Sequence, residues 1–86
     1  MQELGNLRKQ FGLRVRQIRD ESDKTQEEFA EILGISVDFL SLIERGRNAP
    51  SFRKLERMAR GLGKPVSYLF TFDTTYNPQK RKAPRF

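Results

Sequence analysis

Cationic and hydrogen-bonding side chains between residues 45 and 54 are the groups of this chain best suited to binding an anion. The set consists of Arg45, Arg47, Asn48, Ser51, Arg53 and Lys54. Such side chains bind phosphate oxygens through charge and through N–H and O–H donation. The chain has no Cys and no His, so it lacks the usual zinc ligands and the commonest general base. We therefore predict a binding protein, not an enzyme, without catalytic residues, a metal site or a cofactor.

The charge of the chain is distributed unevenly. The 86 residues carry a net charge of +6, with a pI near 10.2, which favours a polyanionic partner over a basic protein that has none. Residues 25–44 carry five acidic and no basic side chains, whereas residues 45–64 carry seven basic side chains and one acidic. An acidic segment is thus followed by a strongly basic one.

The length of the chain is enough for one small domain. No apolar run approaches the roughly 20 residues that cross a bilayer, and the N-terminus lacks the apolar core of a signal peptide. We expect a cytoplasmic protein that makes no membrane contact.

Apolar spacing and capping residues predict five helices. Apolar residues recur every three or four positions in a first helix over about residues 7–22. Thr25 and Glu28 form a T-x-x-E capping box that begins a second helix, which ends at Gly34. Ser36 begins a third helix that ends near Arg45 and Gly46. A fourth helix begins after the cap Ser51, and a short fifth spans about residues 66–70.

The second and third predicted helices form a recognisable unit, Gln26-x3-Ala30-x3-Gly34-x5-Leu40-x2-Ile43. A small residue at position 30 allows two helices to cross, and Gly34 allows the backbone to turn between them. Leu40 and Ile43 face the core and leave the opposite side of the third helix exposed. Two short helices joined in this way are typical of a helix-turn-helix.

Further segments agree with this unit: FGLRVRQIR at 11–19, TQEEFA at 25–30, GIS at 34–36, IERGR at 43–47 and PSFRKL at 50–55. Over about residues 8–70 the chain resembles the Cro and phage-repressor-like helix-turn-helix family, also called the xenobiotic-response-element type. The resemblance implies an all-α, lambda-repressor-like bundle of five helices whose third helix enters the major groove of double-stranded DNA. It also implies a homodimer on a two-fold operator and a structural ion pair between Arg19 and Glu44.

The resemblance implies that Gln26, at the start of the second helix, contacts a DNA phosphate, where free amides also favour an anion. It also implies that Arg45, Arg47 and Asn48, which lie just beyond the third helix, contact the DNA backbone. Ser51, Arg53 and Lys54 open the fourth helix and add amide and charge contacts. The alternative for each side chain is a solvated polar group.

The predicted base-contacting residues are Val37, Asp38, Phe39, Ser41 and Leu42. This set departs from the family's common polar pattern. Val37 and Leu42 can pack on thymine methyl groups, and Asp38 can accept a hydrogen bond from the cytosine amino group. The alternative hypothesis treats Phe39 and Leu42 as an exposed apolar pair that contacts a protein.

The chain divides into an N-terminal arm (1–6), the DNA-binding domain (7–70) and a C-terminal extension (71–86). Phe70, Phe72, Thr74 and Tyr76 alternate with other residues, which predicts a possible strand that pairs across a two-fold axis and dimerises the protein. The alternative is an end that folds onto its own domain. The basic tail, Lys80-Arg81-Lys82 and Arg85, either adds nonspecific DNA affinity or is solvated.

Together these features predict a bacterial or phage transcriptional regulator, a repressor that binds a two-fold operator as a homodimer. The competing hypothesis is a protein-interaction module, antitoxin-like or a scaffold, that uses the aromatic extension and the Phe39–Leu42 pair.

Overall fold

Four α-helices form most of the computed structural model, which describes residues 6–80. The elements are α1 (Leu7–Glu21), α2 (Gln26–Leu33), α3 (Val37–Glu44) and α4 (Phe52–Leu62), followed by 3₁₀ helices at Val66–Phe70 and Pro78–Lys80. The all-α prediction is confirmed, although the expected fifth helix is a 3₁₀ helix. Residues 1–5 of the predicted arm, and Arg81, Lys82 and Arg85 of the basic tail, lie outside the described residues.

Side-chain caps set the starts of the three helices after α1. The Thr25 hydroxyl accepts from the Glu28 amide at 3.1 Å, and the Glu28 carboxylate accepts from the Thr25 amide at 3.0 Å. The Ser36 hydroxyl accepts from the Phe39 amide at 3.1 Å. The Ser51 hydroxyl accepts from the Lys54 amide at 3.2 Å. Each cap satisfies an amide that has no partner inside its helix, and all three predicted starts are confirmed.

The turn between α2 and α3 depends on Gly34, whose φ of 74° lies in the left-handed region. This conformation ends α2, and the amides of Gly34 and Ile35 return to carbonyl oxygens of that helix. Because L side chains rarely adopt this φ, a glycine there lets α3 leave at an angle to α2.

Apolar side chains from every α-helix and from the first 3₁₀ helix meet in one core. Its fully buried members include Val15, Phe29, Leu33, Leu40, Ile43, Met58 and Leu69. Helix α3 packs against both α1 and α2, and α4 packs against α2. The core therefore fixes α3 from two sides while leaving its remaining side to solvent.

Helix α1 and the end of α3 are in backbone contact at Gly12. A Cβ atom at this position would lie 2.2 Å from the carbonyl oxygen of Ile43, which is far inside van der Waals contact. Gly12 is therefore required by space, because any side chain would push α3 away from α1.

The C-terminal extension differs from its prediction. Residues 6–80 contain no strand, so the possible strand over residues 70–76 was wrong. Instead the Asp73 carboxylate accepts from the Thr75 amide at 2.9 Å and from the Thr75 hydroxyl at 2.6 Å, which makes a turn. Gln17 donates to the same carboxylate at 3.2 Å, and the Tyr76 hydroxyl donates to Asp20. The extension thus folds back along α1.

Candidate nucleic-acid interface

Helix α3 presents a narrow exposed edge. Leu40 and Ile43 are fully buried, which turns Asp38 and Arg45 to solvent, with Ser41 and Leu42 half-buried between them. The Arg45 guanidinium bends back to the Ser41 carbonyl oxygen at 3.4 Å. The predicted inward and outward faces of α3 are therefore the observed ones.

Val37 and Phe39 lie at the margin of this edge and not on it. Both are half-buried and pack against the core, and the Lys54 ammonium group lies 5.5 Å from the centre of the Phe39 ring. Leu42 is also half-buried. Phe39 and Leu42 are therefore half-buried and not fully exposed, because Phe39 packs against the core and Lys54 of α4 lies over its ring.

Glu44 joins the ends of three helices beneath the same edge. Its carboxylate accepts from Arg19 Nε at 2.7 Å and from Arg19 Nη2 at 2.9 Å, a bidentate ion pair between α3 and α1. The Gln26 amide donates to Glu44 Oε1 at 3.1 Å from the start of α2. The hydrogen bonds that Arg19 donates to the Glu44 carboxylate hold the pKa of Arg19 above its ordinary value. Gln26, which is predicted to contact a DNA phosphate, is thus held in place by Glu44.

The loop after α3 carries exposed cations. Arg45, Arg47 and Asn48 are all exposed, and Gly46 between the arginines has a φ of 72°. The Asn48 side-chain oxygen accepts from the Ala49 amide at 2.8 Å, which fixes the local turn. Charged groups that belong to a fixed loop are well suited to holding an extended anion.

The start of α4 adds two more exposed cations, Arg53 and Lys54, after the cap Ser51. Sequence reasoning missed a third cation, Arg57, whose guanidinium donates to the Gly34 carbonyl oxygen at 3.3 Å. Arg57 lies four residues after Arg53 and therefore on the same side of the helix. That spacing is the signal that could have identified it.

The four predicted dimerisation residues lie beside α1 of their own chain. The Phe70 ring is 5.1 Å from Phe11 and 6.1 Å from Phe72. Thr74 is exposed, and the Tyr76 ring is half-buried beside α1. The structure brings these residues together with α1 of the same chain, as the alternative to strand pairing expected.

No described helix is both long and apolar enough to span a bilayer. The described surface is instead that of a small helical bundle with an edge of α3 set between cationic segments.

Comparisons with known proteins agree with this geometry. A helix-turn-helix family model matches residues 15–69. Control protein C.BamHI of Bacillus amyloliquefaciens is 35% identical over 78 residues, which cover 90% of this chain and 96% of that protein. The cryptic phage CTXphi transcriptional repressor RstR of Vibrio cholerae is 29% identical over 73 residues, which cover 85% of this chain and 66% of that protein.

Two solved structures share the fold. The restriction-modification controller protein C.AhdI from Aeromonas hydrophila has a TM-score of 0.67 at 27% identity, over 73% of this chain and 96% of its own. The hypothetical transcription factor NHTF from Neisseria has a TM-score of 0.70 at 27% identity, over 94% of this chain and 87% of its own. The chain belongs to the helix-turn-helix family of DNA-binding transcriptional regulators, in its Cro and phage-repressor-like branch, and is not an enzyme.

Proposed function

We propose that this regulator is a repressor that binds a two-fold operator as a cytoplasmic homodimer, with α3 in the major groove of each half-site. The observation that carries the proposal is the exposed edge of α3 between the start of α2 and the cationic residues 45–57. An α-helix fits the major groove, and flanking cations and amides grip the phosphates on either side of it. The names of the control-protein and phage-repressor relatives support a regulatory role of this kind.

Phosphate contacts supply most of the affinity in this proposal. The proposed donors are Gln26, Arg45, Arg47, Asn48, Ser51, Arg53 and Lys54, to which we add Arg57. Gln26 acts at the start of α2, where unpaired amides also favour an anion. The acidic segment 25–44 carries no basic side chain of its own, so α3 depends on these neighbours for attraction to DNA.

In this proposal the exposed edge of α3 makes the base contacts. Asp38 is exposed in its first turn and can accept from the cytosine amino group, while phosphate repels it. Asp38 therefore selects among sequences more than it tightens binding. Leu42 and Ser41 complete the edge through methyl and hydroxyl contacts, and Val37 adds a methyl contact at its margin. Phe39 contributes least, because its ring lies against the core and beneath Lys54.

A salt titration tests the DNA-binding surface. On random-sequence DNA the logarithm of the binding constant should fall steeply with the logarithm of salt concentration, by about 0.9 for each phosphate neutralised. Reversing Arg47 and Arg53 to Glu should remove measurable binding. Lys64→Glu is the control for each of the two reversals made singly, since it changes the net charge by the same amount at an ammonium group that lies 5.1 Å from the Tyr68 ring.

Unchanged DNA binding in the Arg47→Glu, Arg53→Glu double variant would contradict the proposed arrangement, in which these two arginines contact DNA phosphates. Selection of bound sequences from a random DNA pool then tests the two-fold operator. A palindromic consensus supports the homodimer on DNA, whereas a single asymmetric half-site contradicts it.

A further inference from the structure

A cavity lies between α1 and the C-terminal extension, and none of the proposed DNA contacts lines it. Its volume is about 230 Å³, and side chains of both segments form its lining. Gln17 of α1 donates to Asp73 of the extension at 3.2 Å, and the Tyr76 hydroxyl donates to Asp20 of α1. The cavity is therefore bounded by two segments that hydrogen bonds hold together.

Arg14 is a buried cation in this lining. Its side chain belongs to a residue that is only 8% exposed, and its Cζ atom lies 4.5 Å from the centre of the Tyr68 ring. Nε donates to the Tyr68 carbonyl oxygen at 2.9 Å, and Nη1 donates to the Gln17 side-chain oxygen at 3.2 Å. Both acceptors are neutral, and Nη2 has no acceptor within residues 6–80.

Arg14 also forms no ion pair with any carboxylate of residues 6–80. Removing a charge from water is costly unless an opposite charge and hydrogen bonds compensate for it. An anion that enters the cavity and accepts from the guanidinium would supply both. Arg14 therefore favours a carboxylate or a similar oxyanion beside it.

The same lining contains a carboxylate, Asp73. Hydrogen bonds from Thr75, a further one from Gln17 and the charge of Arg14 hold the pKa of Asp73 below its ordinary value of 3.8. The carboxylate is thus ionised at neutral pH. Gln17 separates the two charged groups, because its side-chain oxygen accepts from Arg14 while its NH₂ group donates to Asp73 and to Glu21.

We propose that this cavity binds a free α-amino acid, whose carboxylate accepts from Arg14 and whose ammonium group donates to Asp73. A simple anion would be repelled by Asp73 and a simple cation by Arg14, so the pair selects a ligand that carries both charges. The Gln17 amide already presents its oxygen to Arg14 and its nitrogen to Asp73. An α-amino acid presents an oxygen and a nitrogen in the same order at a similar spacing.

The size and lining of the cavity define the side chain of the ligand. A volume of about 230 Å³ lies below the roughly 300–1,000 Å³ of sites for drug-sized ligands, so the cavity suits a single amino acid. Leu13 and Phe72 supply apolar surface, and the Gln10 amide is a further donor for the ligand carboxylate. An apolar amino acid fits this combination better than a charged one.

The inference goes beyond the DNA-binding proposal. The proposed ligand joins Arg14 on α1 to Asp73 on the extension, so its binding adds a link between these two segments. A ligand that binds only the folded chain also stabilises it. The site therefore gives this small regulator a means of responding to a metabolite without a separate ligand domain.

Isothermal titration calorimetry of the full chain with L-alanine, L-valine, L-leucine and L-methionine tests the site. At least one of the four should bind with a dissociation constant below about 1 mM and should raise the melting temperature. The strongest binder is then compared with the amine that lacks its carboxylate and the acid that lacks its ammonium group. For leucine these are isopentylamine and isocaproate. Each should bind at least about 10-fold more weakly, because one charge is left unpaired.

Asp73→Asn removes the charge that holds the ammonium group and keeps an oxygen that can accept from Thr75. It should weaken amino-acid binding by about 10-fold or more and should not weaken binding of the deaminated acid. Arg14→Gln should abolish binding of both, and circular dichroism checks that it folds. Because Asp73 is exposed, its variant tests the site independently of that result. Glu31→Gln, on the exposed side of α2, removes an equal charge and should change nothing.

NMR locates the ligand, since the shift changes that an amino acid causes should centre on residues 10–17 and 72–76. Absence of binding by all four amino acids, equal affinity for the fragments, wild-type affinity in Asp73→Asn, or shift changes centred elsewhere would each overturn the site. A chain that binds the amino acid and not DNA would contradict the proposed function alone. A chain that binds DNA and no amino acid would contradict this site alone.

Discussion

At the scale of single residues, Glu44 links three helices of the DNA-binding unit. Its carboxylate is almost entirely buried and satisfies Arg19 from α1 and Gln26 from α2. Arg19 also donates to the Lys24 carbonyl oxygen at 3.2 Å, which ties the α1–α2 turn to the same group. One carboxylate thus determines how the starts and ends of three helices lie relative to each other.

Replacing Glu44 with Ala should therefore lower the free energy of unfolding by about 3–5 kcal/mol, because it leaves the Arg19 guanidinium, whose side chain is only 14% exposed, without its carboxylate partner. Urea unfolding measures the change. Glu31→Ala, on the exposed side of α2, is the control and should stay within about 0.5 kcal/mol of the wild type. A loss below about 1 kcal/mol for Glu44→Ala would show that the buried ion pair is not a main source of stability.

At the scale of elements, capping groups decide where the helices begin. The Thr25 amide donates to the Glu28 carboxylate, and this bond holds the pKa of Glu28 below its ordinary value of 4.5. The Thr25 hydroxyl and the nearby Lys24 lower the same pKa. A folded-state pKa below the unfolded one means that the cap stabilises the fold above about pH 4.5 and loses this effect as the pH falls through the lowered pKa.

The capping box predicts a pH-dependent difference between the wild type and Glu28→Ala. The melting temperature of the variant should be lower than that of the wild type at pH 6, and the gap should narrow as the pH is reduced below 4.5. Thermal melts across this range measure the gap, and NMR titration of the Glu28 carboxyl measures its pKa directly. A gap that stays constant down to the lowest pH would contradict the assigned cap.

The sequence was sufficient for the elements whose signals are local. Thr25, Ser36 and Ser51 predicted three helix starts because a cap and its amide lie within three residues of each other. The extension was mispredicted because alternation at Phe72, Thr74 and Tyr76 also suits a strand. Its actual partners, Gln17 and Asp20 on α1, lie 56 residues away in sequence. Such contacts leave no local pattern.

The buried positions of α3 in the candidate site could be predicted from the sequence, whereas the exposure of the surrounding side chains was harder to predict. The inward positions of Leu40 and Ile43 followed from helical spacing. The cover that Lys54 provides for Phe39 depends on how α4 packs beside α3, which no spacing within α3 can show. For the same reason the exposure of Phe52 was not predicted, since a phenylalanine at a helix start is ordinarily expected to pack.

At the scale of the whole molecule, charge and size both constrain the proposed complex. Residues 25–44 are acidic and residues 45–64 are basic, so long-range attraction to DNA comes from beside the α3 edge and not from it. The proposed homodimer has two such cationic regions. Both α3 helices then meet the same side of the duplex only when two half-sites are in phase.

Operator spacing should therefore have a strong effect on affinity. Half-site centres about 10–10.5 base pairs apart place both major grooves on one side of the DNA. Inserting five base pairs rotates one half-site by about half a turn, which should lower affinity by about 100-fold or more because only one copy can bind. Gel-shift titration at one fixed salt concentration measures the loss. Equal affinity for the two spacings would contradict simultaneous binding of both half-sites.

The hydrogen bond from Gln26 to Glu44 has a consequence for the energetics of DNA binding. Ordering a free glutamine side chain costs up to about 1.5–2 kcal/mol in rotamer entropy. Here Glu44 holds one N–H of the Gln26 amide at 3.1 Å, and the second N–H remains for an outside acceptor. The entropy is thus lost when the protein folds and not when it meets DNA. A long side chain thereby acts as a rigid, preorganised donor, much like a backbone amide.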